Sequence, residues 1–405
     1  MKRPIHHSEN GQRSVPLERT IQDIERFFLK NPMEVQFAFV KPKIGKGAKA
    51  CLKYHAPSGP SDDHHYFGKG LSAGQNFTSA CFEFFERYSA KMLPDDLLIE
   101  ASYAEVSNLA IDPRELILTA NSSYAPSRKI SWIWGFSLSR NRNVLVPANL
   151  VFLPFIPRHK EKIIALEDSN GIASGNNREE AILHALLEVV ERDQVIISEY
   201  NLFPFIRIAA NSLPDACRPI VELIKEMKFD VHIFAGISDI PIPFMATYLE
   251  SKNDPSTCSV AYGSYLDPTL AVERALTEAV QLLPPAVNGA GWKRWGRPRF
   301  FRSQPALQIS LDSMKNRATA DIKKNIERCI SILAKIGSEV VVVDLPHPEI
   351  PFPTVRILAT GLQPILRKNS MRLSRRFFEV PIKLGFRRTP FEAPQVKIWP
   401  ICGYK

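Results

Sequence analysis

Apolar residues recur at helical spacing in some stretches of the chain and alternate with polar ones in others. Leu17, Ile21, Ile24 and Phe28 fall three and four residues apart, which predicts a helix from Leu17 to Leu29. Asn76 to Met92, Arg178 to Tyr200, Leu270 to Leu283 and Ala320 to Ile336 read the same way. Val35 to Val40, Ile130 to Leu138, Asn143 to Val146, Val231 to Ala235, Pro243 to Tyr248, Cys258 to Tyr262, Val340 to Val343 and Thr354 to Leu358 read as strands. Ser139-Arg140-Asn141-Arg142 is the polar turn between the second and third of these. Interleaved helices and strands predict the α+β class, a mixed α/β architecture. Apart from one acidic frame there is no short repeat, which argues against solenoids and propellers.

Composition narrows this picture. The chain has 405 residues, enough for a large core, with ordinary hydrophobic (45%) and charged (23%) content. Its 32 prolines gather in connections such as Pro154-Phe155-Ile156-Pro157 and Pro284-Pro285, a sign of a loop-rich fold. The six cysteines form no C-x-x-C pair, so neither a zinc finger nor a disulfide framework is expected, and reduced thiols in a cytoplasmic protein are. The first residues carry no apolar stretch of the signal-peptide kind. The longest apolar run, Val144 to Pro157, is broken by prolines and an asparagine and does not span a bilayer. Net charge is +10, part of it concentrated late in Arg367, Lys368, Arg372, Arg375, Arg376, Lys383, Arg387 and Arg388. Such a surface favours phosphates, nucleic acid or an acidic peptide, and the plainer reading is solubility.

The acidic frame is the most informative local feature. Glu-x-x-Glu-Arg occurs as Glu83-Phe84-Phe85-Glu86-Arg87 after Gly68-Lys69-Gly70, and as Glu188-Val189-Val190-Glu191-Arg192 after Ser169-Asn170-Gly171 and Gly175. At about 100° per residue, Glu86, Glu83 and Arg87 lie about −20°, +40° and +80° from Ser79. Glu191 and Glu188 lie about +20° and +80° from Glu180. Apolar residues fill the opposite arcs, and Phe82 and Leu183 narrow the polar stripes further, as on helices enclosed by protein. For a single helix the ordinary reading is a solvated surface. If the two stripes face each other, Glu83, Glu86, Glu180, Glu188 and Glu191 meet, and their mutual repulsion requires cations. An all-oxygen ligand set favours Mg2+, which retains waters and shares phosphate oxygens, so a nucleoside triphosphate is the implied ligand.

Phosphate-binding candidates are few. The Walker A spacing is absent, and Lys69 in its G-K-G reads either as a phosphate contact or as a solvated turn. Arg87 and Arg192 are suited to clamp a phosphate, or to pair with glutamates of their own helices. Asn176 either caps the second acidic helix or presents an amide to an anion. His6-His7 and His64-His65 read as loop residues, and Trp292-Lys293-Arg294-Trp295-Gly296-Arg297 mixes aromatic and basic side chains without further context.

Taken together these residues resemble the YcaO family. The resemblance rests on Gly68-Lys69-Gly70, on Ser79-Ala80 with Glu83, Glu86 and Arg87, and above all on Ser169-Asn170-Gly171, Gly175-Asn176, Glu180-Ala181, Glu188, Glu191, Arg192 and Asp193. Arg274 to Gln281 is similar to a third family segment, and Arg13 with Thr20 to an N-terminal nucleotide-contacting pair. The resemblance implies a YcaO-type ATP-binding fold without a P-loop over residues 13–365, preceded by a flexible 1–12 and followed by a basic 366–405 packed on the same domain. It implies ATP contacts from Arg13, Thr20, Lys69, Ser79, Arg87, Asn176, Arg192 and Gln281, and Mg2+ held by Glu83, Glu86, Glu180, Glu188 and Glu191. It implies activation of a peptide backbone amide: a nucleophile adds to the amide carbon, the oxyanion takes the γ-phosphoryl group, and phosphate leaves. A Cys, Ser or Thr nucleophile gives an azoline, as in bacteriocin biosynthesis, and an external sulfide gives a thioamide; a non-catalytic docking scaffold is the third reading. The expected partners are a peptide substrate and a protein that delivers it, since no leader-binding domain is recognised; nucleic acid and membrane are not expected, and a homodimer is left open. Two departures stand out. Gln281 is followed by Leu282-Leu283 where many members carry an arginine two places on, for which Arg294 or Arg297 would have to substitute, and the terminus Trp399-Pro400-Ile401-Cys402-Gly403-Tyr404-Lys405 lacks the proline alternation of azoline-forming members.

Overall fold

A helix buried along nearly its whole length lies between two mainly antiparallel sheets in this computed structural model, which describes residues 6–8, 11–31, 35–40, 49–55, 63–92, 98–158, 161–253, 257–282, 307–365 and 371–389. In chain order the elements are β1 (His6–Ser8), β2 (Gly11–Arg13), α1 (Leu17–Lys30), β3 (Val35–Val40), β4 (Lys49–His55), β5 (Asp63–Phe67), α2 (Ala73–Ser89), β6 (Ile99–Ser102), α3 (Tyr103–Val106), β7 (Lys129–Ser137) and β8 (Arg142–Pro147). Then come β9 (Ile172–Ser174), α4 (Arg178–Tyr200), β10 (Ile206–Ile208), α5 (Arg218–Glu226), β11 (Phe229–Ala235), β12 (Phe244–Ser251), β13 (Cys258–Ser264) and α6 (Pro268–Gln281). The last are β14 (Gln308–Ile309), α7 (Ile322–Ala334), β15 (Val340–Asp344), β16 (Thr354–Ala359) and α8 (Arg375–Lys383).

One sheet has the order β13-β12-β11-β10-β14, antiparallel except for the β10–β14 edge. The other runs β6-β7-β15-β16-β9, with β8 paired to β7. The central helix α4 packs on β9 and β16 of the second sheet and on β13 of the first. Its apolar side chains Ile182, Leu186, Leu187 and Val190 join a core that includes Met245 and Leu249 of β12, Ala271 and Ala275 of α6, and Val342 and Ile357 of the second sheet. A helix covered on both sides is apolar nearly all round, which explains why only a thin polar stripe survives on α4. The small sheet β3-β4-β5 packs on α2 through β4 and β5, and α2 meets α1 through Ile24, Phe27, Phe84 and Phe85.

Most long elements fall where the periodicity places them, and α4 coincides with its expected limits. The shift at α2 is instructive. Its helix begins at Ala73, three residues early, because Ser72 forms a capping box with Gln75. Gly74 obscures that start in the pattern, and its missing side chain is what lets Leu17 and Ile21 approach: a Cβ there would lie 3.1 Å from Ile21 Cδ1. Helix α6 likewise starts at Pro268, after the Asp267 cap, where proline at the first helical position needs no N–H. The strands β9, β10 and β14 span three residues or fewer and are too short to show alternation. Most of the apolar run 144–157 is interior: Val144, Val146, Val151, Phe152 and Phe155 form a core on the second sheet, while Ile156 is exposed. Among the described residues no helix is long and apolar enough to cross a membrane.

The N-terminal stretch expected to be flexible contains the hairpin β1–β2, His6 pairing with Arg13. The late basic cluster is partly internal. Arg376, on α8, lies between Asp193 and Asp239, its Nη2 2.8 Å from a carboxylate oxygen of each, and Lys383 also reaches Asp239. Arg376 thus fastens α8 to α4, and both charges hold it to Asp239, a correction to the reading of the whole cluster as a surface patch. Cys81, Cys217, Cys258 and Cys329 are buried free thiols. Arg294, Arg297, the remainder of the Trp292–Arg297 stretch, Arg367, Lys368 and the terminus from Trp399 lie outside the described residues.

Candidate functional site

The Gly68-Lys69-Gly70 turn lies directly against the start of α2. A Cβ on Gly68 would sit 1.6 Å from the Asn76 carbonyl oxygen, so only glycine fits. This close approach carries Lys69 across to α6, where its Nζ donates to Glu278 Oε2 at 2.6 Å. The neighbouring Phe67 backbone ties the same two helices. Its N–H donates to Glu83 Oε2 at 3.0 Å, and its carbonyl accepts from Gln281 Nε2 at 2.5 Å.

The acidic stripes of α2 and α4 face one another. Glu86 Oε1 accepts from the backbone N–H of Ser174 at 3.1 Å, at the end of β9 just before α4. Burial, with Glu188 of α4 and Glu83 of its own helix adding to it, pushes the Glu86 carboxyl up to about 8. Glu83 is raised by burial, opposed by Arg87. On α4, Glu191 is 4% exposed and its Oε2 accepts from Ser264 N–H at 2.8 Å, at the end of β13. Burial raises the Glu191 carboxyl, Arg192 opposes this, and Glu278 adds to it. Among the described residues no hydrogen bond reaches the second oxygen of Glu86 or Glu191, which leaves both oriented and available to a cation.

Cations fill the space between. Arg192 Nη2 donates to Glu188 Oε1 at 3.2 Å, one turn back along α4, and Arg87 lies 3.9 Å from Glu83 Oε1 in the same i,i+4 relation. Burial raises Glu278, but Lys69, Arg192 and Arg274 outweigh it and hold that carboxylate below the usual range. His184, one turn after Glu180, is driven well below the usual imidazole value by burial and by Arg274, Arg13 and Lys69. Arg13, Lys69 and Arg274 thus act on His184, and Lys69, Arg192 and Arg274 on Glu191 and Glu278. Charges of both signs in such numbers suit a polyanion accompanied by metal.

Several expected residues take other places. The cap of α4 is Asn177, whose side chain accepts from Glu180 N–H at 2.9 Å, and not Asn176. Asn176 instead donates from N and Nδ2 to Glu180 Oε2, both at 3.0 Å, and accepts from buried Thr20 Oγ1 at 2.9 Å. Glu180 is engaged by Asn176 and by the N–H and Oγ of Ser14. Ser79 sits on α2 one turn before Glu83, half-buried. Glu278 and Arg274 had no separate role in the sequence reading. Their signal was available in the third segment: four residues apart on a helix, they share a face. Among the described residues no three carboxylate, histidine or cysteine groups converge tightly enough to enclose an ion. The open oxygens of Glu86 and Glu191 are hard donors of the kind Mg2+ takes, with waters and phosphate oxygens completing its shell.

Comparison with known families decides the lineage. Residues 67–363 match the model of the YcaO cyclodehydratases, described as ATP- and Mg2+-binding. The chain belongs to the YcaO family. ATP and Mg2+ are the cofactors of this family, and the chain falls among ATP-dependent enzymes of cyclodehydratase type. A protein of Methanothermobacter thermautotrophicus, described as uncharacterized, is 32% identical over 316 residues, covering 74% of this chain and 81% of that protein. Among solved structures, a heterocyclase in complex with substrate and cofactor superposes with a TM-score of 0.87 at 24% identity. That match covers 99% of this chain and 58% of the heterocyclase, so the chain spans little more than half of that protein. YcaO from Methanopyrus kandleri, bound with AMPPCP and Mg2+, gives a TM-score of 0.72 at 23% identity, covering 90% of this chain and 95% of that one. The YcaO fold is thus present in nearly full extent, with both acidic frames and Lys69 inside the matched region.

Proposed function

We propose that this YcaO chain uses ATP and Mg2+ to activate a peptide backbone amide, with cyclodehydration of Cys, Ser or Thr to an azoline as the outcome. The observation that carries the reading is that backbone donors orient Glu86 of α2 and Glu191 of α4, at 3.1 and 2.8 Å, close to the Lys69–Glu278 pair. The protein holds these acids in place through backbone donors and leaves oxygens of Glu86 and Glu191 open to metal. Glu83, Glu86, Glu188 and Glu191 would hold Mg2+. Glu180, bonded to Ser14 and Asn176, would set the position of the N-terminal segment carrying Arg13. Bound ATP supplies the phosphoryl group that turns the amide oxygen into a leaving group. Lys69 and Arg192 would bind its phosphates.

The substrate peptide is proposed from the family and from the heterocyclase likeness, and a separate protein delivering it belongs to the same proposal. Thioamide formation with an external sulfide uses the same activation and is the second reading. Mass spectrometry of a co-expressed peptide rich in Cys, Ser and Thr tests both. Loss of water supports the azoline reading, and exchange of oxygen for sulfur supports the thioamide. Binding of a partner and peptide without any phosphate release would leave a docking role and overturn the enzymatic proposal.

A further inference from the structure

One carboxylate on the polar stripe of α4 has no part in the metal site. Glu199 lies about 80° round the helix from Glu191, between Glu188 at about 60° and Arg192 at about 100°, so it shares their face. It sits just over two turns beyond Glu191, about 12 Å farther along the axis.

Strand β13 binds both acids. Ser264 gives its N–H to Glu191 Oε2 at 2.8 Å. Tyr262, two residues earlier and on the same face of the strand, gives its O–H to Glu199 Oε1 at 2.5 Å. Tyr262 is 1% exposed and belongs to a cluster with Val195 of α4 and with Phe205, Phe244 and Tyr248. That packing fixes the tyrosine and, through it, one oxygen of the glutamate.

The other oxygen is uncommitted. Among the described residues Tyr262 is the one hydrogen-bond partner of Glu199, and no cation pairs with it. The cations that α8 brings to this half of α4, Arg376 and Lys383, are held by Asp193 and Asp239. Tyr200, the next residue of α4, is pushed up by burial and by Glu199. Burial raises the Glu199 carboxyl to about 7, with the Tyr262 hydrogen bond opposing it. A half-buried carboxylate without a cation costs free energy on folding, so a stabilising role explains the pair poorly. An oriented carboxylate that exchanges its proton near neutral pH suits general-base work.

We infer that Glu199 accepts the proton of the substrate's nucleophile, and that Tyr262 is the positioning residue that orients it. The inference rests on the amide-activation reading and assigns its proton acceptor. As the Cys, Ser or Thr sulfur or oxygen bonds to the amide carbon, its proton passes to the free oxygen of Glu199, and the carbonyl electron pair moves onto the amide oxygen. That oxygen takes the γ-phosphoryl group and ADP departs. Phosphate then leaves with the amide oxygen, the N–H proton goes to water, and the C=N bond closes. Glu199 returns its proton to water. The backbone span of about 12 Å between Glu191 and Glu199 accommodates a γ-phosphate, the amide and the attacking side chain in sequence.

The test uses the full chain at saturating ATP and Mg2+, where the metal-site carboxylates are ionised. Its probe is a pool of short glycine-rich peptides, each carrying one Ser or Thr, whose hydroxyls do not titrate near neutrality. Phosphate release is followed from pH 5.5 to 9, and loss of water from the peptide is read by mass. The parent rate is expected to rise with pH through about 7. Glu199→Gln should lower the rate roughly 100-fold or more and abolish the rise, with ATP affinity by calorimetry within twofold of the parent. Tyr262→Phe removes the bond that opposes burial, so its rise should move to higher pH, and this shift decides the matter should Glu199→Gln not fold. A merely structural pair would lower the melting temperature and leave the pH of the rise unmoved. A Glu199→Gln rate within threefold of the parent, or an unshifted rise in Tyr262→Phe, overturns the inference and leaves amide activation standing. A parent chain that binds ATP yet releases no phosphate with any of the peptides overturns the amide-activation reading, and the role of Glu199 with it.

Discussion

Glu86 Oε1 and the backbone N–H of Ser174 are 3.1 Å apart, although 88 residues separate them in sequence. The bond ties the middle of α2 to the last residue of the strand that feeds α4, so each acidic helix is positioned against the approach to the other. Ser174 is itself fixed by pairing with Thr354 of β16.

The pH response follows from this placement. Glu86 is raised to about 8 by burial and by Glu188 and Glu83, against an ordinary value of 4.5. A carboxyl raised on folding stabilises most below its unfolded pKa, and that contribution is lost as pH climbs through the folded value. Between about pH 4.5 and 8 the ligand-free melting temperature is therefore expected to fall. Glu86→Gln, which cannot ionise, should flatten the fall over that window. Mg2+ with ATP must displace the proton, so affinity should rise with pH in the parent and lose that dependence in Glu86→Gln. Scanning calorimetry and titration from pH 5 to 9 read both.

Lys69→Met tests the pair with Glu278. A hydrogen bond to a charged partner contributes about 1.5–3 kcal/mol, so ATP affinity is expected to drop roughly 10- to 150-fold if Lys69 exchanges Glu278 for phosphate on binding. Unchanged affinity would mean that the 2.6 Å pair persists in the complex and only braces the G-K-G turn.

Arg376→Leu probes the C-terminal clamp. It would leave Asp193, 0% exposed, and Asp239, 2% exposed, without their shared cation. Breaking a buried pair on one side costs about 3–5 kcal/mol. Denaturant unfolding should register a loss of that size, whereas Arg375→Leu, whose pair with Glu379 is solvent-exposed, should cost under about 1 kcal/mol.

Gly263→Ala would force α6 away from β13, since the new Cβ meets backbone that cannot rotate aside. Overpacking of this kind costs about 1–3 kcal/mol. It should also weaken ATP binding, because Arg274 and Glu278 ride on that helix, and the joint loss in melting temperature and affinity is the measurable outcome. Alanine at Gly337, which has open space around it but a φ of +76°, should lower stability alone.

The secondary structure and family of this chain were legible in its residues because both are local signals. Helical periodicity needs only neighbours three and four apart, and the doubled Glu-x-x-Glu-Arg frame survives as a contiguous string. Amphipathic geometry put Glu83 with Glu86, and Glu188 with Glu191, on the polar stripes of their helices. Tertiary structure alone decided which faces meet. It gave Glu180 Ser14 and Asn176 as partners, made Asn177 and not Asn176 the helix cap, and set Glu278 and Arg274 near enough to Glu191 for their charges to act on it. It also turned Arg376 inward. Whether a charge is solvated or buried depends on what packs over it, and here Glu191 meets Ser264 across 73 residues, Asp193 meets Arg376 across 183 and Glu278 meets Lys69 across 209, beyond the reach of any local pattern.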